Sequence, residues 1–183
     1  FDLRERGKLN PPQEDLAAEI YEATQEICNA SGFRTYEISN HAKPGAECQH
    51  NLVYWRGQDY AGIGPGAHGR LTTAEGRLAT ATERNPEKWW QLANVDGHGL
   101  VEREILSPEE HADEIMLMGL RLAEGFDASR YKSICGNSLN EKEIQFLSKM
   151  GMVAVTAEEK LRVTPKGFLL LDAIVADLAM EPT

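Results

Sequence analysis

The sequence predicts an α/β unit over residues 1–106 followed by a smaller α+β, winged-helix-like unit over 107–183. Three observations predict it. A helical apolar stripe passes through Gly32 into an alternating strand pattern, which is the αβ step of a layered or barrel α/β fold. Ser107-Pro108-Glu109-Glu110 is a helix start with a hydroxyl cap, Pro at the first helical position and Glu at the third. Beyond it, helices, a hairpin and a last helix follow in winged-helix order.

Composition narrows the class. The chain has 183 residues, 42% apolar and 26% charged, enough to bury a core, and no low-complexity run. The most apolar stretch, 167–180, is interrupted by Asp172 and Asp177 and is too short for a bilayer. With 19 Lys and Arg against 29 Asp and Glu the net charge is -10, a poor balance for phosphate backbones or anionic lipid. Three scattered cysteines, Cys28, Cys48 and Cys135, with no C-x-x-C, read as reduced thiols of a cytoplasmic protein. The chain opens at Phe1 without an initiator Met or targeting signal and reads as a piece of a longer protein.

Taken in order, Pro11-Pro12 deliver the chain to a helix over 14–31, with Leu16, Ile20, Tyr21, Ile27 and Cys28 on one stripe and Cys28 as a core thiol. Residues 33–38 alternate as a strand. Residues 39–70 crowd loop chemistry, aromatics, amides and three histidines. Residues 71–81 read as strand or hairpin edge, and Asn85-Pro86 starts a short helix whose Trp89 and Trp90 serve packing. The helix capped by Ser107 runs to Gly125. Asp127 and Asn140 cap two further helices, the second stopping at Gly151. Residues 152–155 and 161–163 flank a turn, and Thr164-Pro165 start the last helix.

Gly64-Pro65-Gly66-Ala67-His68-Gly69 matches G-x-G-x-x-G after a plausible strand, but a dinucleotide site needs a helix next, and Arg70-Leu71-Thr72-Thr73 is strand-like. Pro65 also removes an amide. Gly62, Gly64 and Gly66 instead let the backbone approach something closely, a neighbouring strand in preference to a ligand. His41, His50 and His68 with Cys48 lack zinc-site spacing. His50, beside Asn51, Tyr54 and Trp55, is less ordinary, because an imidazole among aromatic faces suits haem iron or a planar ligand. His98 and His111 read as solvent-facing. The 101–183 segment carries 9 Lys and Arg against 15 Asp and Glu, which disfavours a DNA-binding role.

Three spaced blocks carry a family resemblance: Tyr36 to Gly45, His50-Asn51-Leu52-Val53-Tyr54-Trp55, and Tyr60 to Gly69. Together they resemble the oxygen-independent coproporphyrinogen III oxidase-like family of radical SAM proteins, the H-N-x-x-Y-W element resembling its haem-chaperone branch. Glu114 to Leu122 and Leu161 to Gly167 are similar to that family's C-terminal domain. The resemblance implies the end of a partial radical-SAM (β/α) barrel, with S-adenosylmethionine over a [4Fe-4S] cluster in the parent protein. The C-x-x-x-C-x-x-C motif that holds the cluster is absent from these residues, so no metal ligand and no catalytic residue is expected here. The resemblance further implies that His50 contacts haem and that Tyr54 and Trp55 give flat apolar area. Gln49 and Asn51 would line the cofactor pocket, and Gly64, Gly66, Ala67 and His68 would pass the adenosyl group. The 33–38 strand would deliver Ser39, Asn40 and His41 to that face of the barrel, with the loop 39–45 as a supporting shell. The implied partners are haem or porphyrin and a haem-acceptor protein. The rival expectation is a winged-helix interaction or nucleic-acid-binding module without enzymatic role.

Overall fold

The structure, a computed structural model, describes residues 6, 7 and 10–179. It divides into two compact units, 1–47 and 48–183.

In the first unit, helix α1 spans Glu14–Ala30 and is followed by strands β1, Arg34–Glu37, and β2, Asn40–Ala42, paired antiparallel. The turn between them is held by one carboxylate. Glu37 is fully buried and accepts hydrogen bonds from Ser39 N at 2.8 Å, from Ser39 Oγ at 2.6 Å and from Asn40 Nδ2. This corrects the expected loop at 39–45: Asn40, His41 and Ala42 lie in a return strand, because Glu37 supplies the acceptor that folds the chain back. The apolar stripe of α1 is also corrected. No residue of the helix is buried, Leu16, Ile20 and Ile27 are 50%, 52% and 67% exposed, and Cys28 is half-buried rather than core.

The second unit begins with helix α2, Gln49–Trp55. From sequence alone this segment reads as loop, since the Cys48 side chain makes no cap and the apolar residues are too few to show a period. Strands β3, His68–Thr73, β4, Gly76–Thr82, and β5, Leu100–Ile105, form an antiparallel sheet in that order. Helix α3, Pro86–Asp96, connects β4 to β5; Asn85 accepts from Glu87 N and Lys88 N, and Gly97 ends it with φ 76°. Of its tryptophans, Trp89 packs where a Cβ on Gly99 would fall within 2.2 Å, while Trp90 is 64% exposed and packs little. No strand leads into the glycine segment; Tyr60 makes only an isolated bridge to Arg70.

Helix α4, Pro108–Gly119, starts with the capping box read from the sequence: Ser107 Oγ accepts from Glu110 N, and the Glu110 carboxylate accepts from Ser107 N. It ends six residues before the expected stop at Gly125. Leu120–Leu122 turn out of the helix because Gly119 lets Phe126 press against the helix end; a Cβ there would lie 2.6 Å from Phe126 Cδ2. Helices α5, Ala128–Cys135, and α6, Glu141–Lys149, are capped by Asp127 and Asn140. Strands β6, Val153–Val155, and β7, Leu161–Val163, form the expected hairpin. A 3₁₀ turn, Phe168–Leu170, leads into helix α7, Leu171–Ala179.

The core gathers on this side. Ala112, Ile115 and Met116 from α4 lie with Leu120, Phe126, Val153, Leu161, Ile174 and Leu178 among the buried residues. Each large apolar side chain contributes about 1.5–3 kcal/mol by leaving water. The described residues thus form a mixed α/β protein in which no helix is long and apolar enough to cross a membrane.

Candidate functional site

Helical spacing sets the central geometry of the second unit. His50 and Tyr54, four residues apart on α2, share a face, and His50 Nε2 and Tyr54 Oη are hydrogen-bonded at 2.9 Å. Their rings meet edge to face with centroids 4.7 Å apart, and Tyr54 meets Tyr60 the same way at 4.4 Å. His50 is exposed; Tyr54 and Tyr60 are half-buried. Tyr60 is fixed by its backbone, donating to Arg70 O at 2.8 Å and accepting from Arg70 N at 2.9 Å. Burial raises its phenol pKa above the ordinary value.

Trp55 turns elsewhere. Arg121 Cζ lies 4.5 Å from its ring centroid, a cation–π contact, and the indole Nε1 is buried without a hydrogen-bond partner. Beside Trp55 a cleft of about 430 Å³ is lined by Arg56, Leu122, Glu124, Phe126, Arg130 and Lys160. Arg56 and Glu124 form a two-pronged pair, both bonds 2.9 Å, and hydrogen bonding from that guanidinium lowers the Glu124 pKa.

The glycine segment has a different cause at each position. A Cβ on Gly62 would lie 2.3 Å from His68 O, so its role is a close approach to β3, the neighbouring-strand reading. Gly64 and Gly66 have φ +100° and +69° and are needed for conformation. Thr82, 5% exposed, organises the turn: its hydroxyl donates to Gly64 O at 2.6 Å and accepts from Ala67 N at 2.8 Å. Gly66 N donates to Glu83 O at 2.8 Å. The amides of Gly66 and Ala67 are therefore engaged, and His68 offers an exposed ring beside them. An adenosyl group fits this turn only through its remaining backbone groups, the open side of Gly64 and that imidazole.

The structure thus joins His50 to Tyr54 and, through Tyr60 and Arg70, to the strand that carries His68, whereas Trp55 belongs with Arg121. Gln49 and His50 are exposed on α2, and Asn51 is half-buried there. His41 lies in the first unit, where its Nε2 is 3.1 Å from Gln25 Oε1. His98 is exposed as expected. His111 is half-buried and not solvent-facing; burial, then the nearby Arg77 charge, lowers its pKa. Tyr60, Thr82 and Arg121 were missed, and only the Tyr60 ring, inside the aromatic run, offered a local signal.

Fit to the groups the resemblance implies differs. An exposed imidazole set against the Tyr54 phenol, itself packed on Tyr60, suits a haem macrocycle and its iron. A [4Fe-4S] cluster does not fit: the three cysteines are separate free thiols, and among the described residues no three His, Cys, Asp or Glu side chains gather to hold a metal.

A mixed α/β architecture of this kind is known. The chain superposes on the solved structure titled "Coproporphyrinogen III oxidase (HemN) from Escherichia coli is a Radical SAM enzyme" with a TM-score of 0.67 and 19% identity, over 95% of this chain and 43% of that one. Residues 106–170 match the HemN C-terminal domain. The chain belongs to the coproporphyrinogen III oxidase-like radical SAM family. Among its relatives, it is 32% identical to radical S-adenosyl methionine domain-containing protein 1, mitochondrial, of Danio rerio, over 99% of this chain and 43% of that protein. It is 31% identical to the heme chaperone HemW of Bacillus subtilis, over 93% of this chain and 44% of that protein. The chain therefore spans less than half the length of these relatives.

Proposed function

We propose that this chain is the haem-binding share of a haem chaperone of the radical SAM family, with His50 as the haem contact and the Gly64–His68 turn completing an S-adenosylmethionine pocket. The observation that carries it is the exposed His50 ring set edge-on to Tyr54, which Tyr60 in turn backs. Similarity to proteins named heme chaperone HemW supports it. In the whole protein the cluster with S-adenosylmethionine supplies radical chemistry. The residues of this chain bind and orient: Tyr54 and Tyr60 present ring area to a planar tetrapyrrole, Gly64 and Gly66 give the turn its shape, and Thr82 holds that turn closed.

We assign 1–106 to the closing part of the partial barrel and 107–183 to a winged-helix-like C-terminal domain, the hairpin β6–β7 being the wing. That domain serves packing and protein contact, since its 8 Lys and Arg against 13 Asp and Glu, a net charge of -5, oppose nucleic acid. A haem-acceptor protein and a cytoplasmic location complete the reading. An oxidase acting on coproporphyrinogen is the enzymatic counterpart, favoured by the fold match to that oxidase.

The test is a haemin titration followed by absorbance, with His50→Ala beside the parent chain. Saturable binding with a Soret shift that His50→Ala loses supports the assignment. Equal binding by His50→Ala overturns it.

A further inference from the structure

We infer that Tyr54 is a latch on the haem-binding nitrogen of His50, so that capture of haem competes with an internal hydrogen bond and is reversible for that reason. The inference rests on the assignment of His50 as haem contact. It starts from the 2.9 Å bond between Tyr54 Oη and His50 Nε2. If the phenol donates, the Nε2 lone pair is engaged; if Nε2–H donates to the phenol oxygen, Nε2 carries a proton and has no lone pair to offer. Either tautomer withholds Nε2 from iron. The other nitrogen, Nδ1, adjoins the ring carbon that bears Cβ, so a flat macrocycle approaching it meets the side chain's own stem and the helix.

The phenol does not withdraw easily. Tyr54 is half-buried and sits 4.4 Å from Tyr60, and Tyr60 is tied to β3 by two backbone hydrogen bonds with Arg70. His50 is the exposed member of the pair, in the first turn of α2. Opening the latch therefore means turning His50 away from a fixed Tyr54. Tyr54 acts through His50 and is a positioning residue. Iron coordination replaces the Tyr54–His50 bond by an iron–Nε2 bond and displaces a water from the iron; where Nε2 carries the ring proton, that proton passes through solvent to Nδ1, and no oxidation state changes. On release the phenol recaptures the nitrogen, which speeds departure of the haem toward an acceptor.

The experiment compares the parent chain, Tyr54→Phe and His50→Ala. Tyr54→Phe keeps the ring and its stacking and removes only the hydroxyl. In haemin titrations it should bind about 2- to 10-fold more tightly than the parent, the ordinary net worth of one hydrogen bond. Transfer of its haem to apomyoglobin should slow by a similar factor, with the parent's Soret maximum retained. Without haem, the ¹⁵N resonance of His50 Nε2 should move toward that of an unbonded imidazole in Tyr54→Phe. Unchanged or weaker haemin affinity, or an unmoved Nε2 resonance, overturns the latch. The two readings fail separately: if His50→Ala binds haemin like the parent, the haem-contact assignment itself falls. If His50→Ala loses binding while Tyr54→Phe does not tighten it, only the latch falls.

Discussion

Arg70 on β3 and Glu114 on α4 form an ion pair of 2.8 Å whose side chains are only 19% and 23% exposed, so the three-stranded sheet and the first helix of the C-terminal segment are held by charge as well as packing. Arg70 also donates to Gly69 O at 3.0 Å, and its backbone holds Tyr60. Hydrogen bonding to Glu114 raises the Arg70 pKa against the effect of burial, so the guanidinium is charged at any working pH. Glu114→Ala leaves that cation half-covered without its partner. Unfolding in urea should show a loss of about 1–3 kcal/mol, and Arg70→Ala/Glu114→Ala together should cost less than the sum of the single changes.

Gly62 offers a test of backbone approach. A methyl group there would meet His68 O at 2.3 Å and His68 C at 2.6 Å, atoms that cannot swing aside as a side-chain end can. Gly62→Ala should lower stability by about 2–4 kcal/mol. Gly64→Ala meets no atom within 4 Å but must adopt φ +100°, and should cost about 1–2 kcal/mol. Equal thermal midpoints for Gly62→Ala and the parent would reject the packing argument.

His111 sets a pH dependence. Its folded pKa is depressed, first by burial and then by Arg77, with Glu114 opposing. Near its unfolded value of 6.5 the unfolded chain binds more protons than the folded one, so stability falls as pH drops below about 7 and flattens once both states are protonated. His111→Gln should remove this part of the slope. Denaturant midpoints measured from pH 7.5 to 5 check it, and parallel curves for the two proteins would refute it.

What was legible follows the reach of the signal. The capping box at Ser107–Glu110, the caps at Asn85, Asp127 and Asn140, and the turn between β6 and β7 are each written within a few residues, and each stands in the structure. Helix α2 was illegible because seven residues without a side-chain cap carry too little pattern. Strand β5 was missed because Glu102, Arg103 and Glu104 face solvent on both sides, so no alternation marks it. The end of α4 depends on Phe126, seven residues beyond Gly119, and the tyrosine wall depends on Tyr60 being held by Arg70. In the candidate site, His50 and Tyr54 were legible as a motif. Their partner Tyr60, the placement of Trp55 under Arg121, and the role of Thr82 required the fold.

Thr82 gives the most discriminating test of the glycine turn. It lies 15 and 18 residues from the groups it bonds, Ala67 N and Gly64 O, and is 5% exposed, so water does not replace its hydroxyl. Thr82→Val keeps shape and burial but leaves Gly64 O without its short donor and Ala67 N with only its 3.4 Å contact to Gly64 O. Leaving such groups unmatched costs about 1–3 kcal/mol. Because the backbone pairing of β4 with β3 and β5 does not use the hydroxyl, that cost should fall on the turn before it reaches the sheet. Hydrogen exchange should therefore speed up at Gly66 and Ala67 by about 5- to 100-fold, while amides in the middle of β4 change little. Thr82→Ser, which restores the hydroxyl, should return the turn amides to nearly their original protection. If Thr82→Val exchanged at the parent rate in the turn, the hydroxyl would not be what closes it, and the conformations of Gly64 and Gly66 would have to hold the segment by themselves.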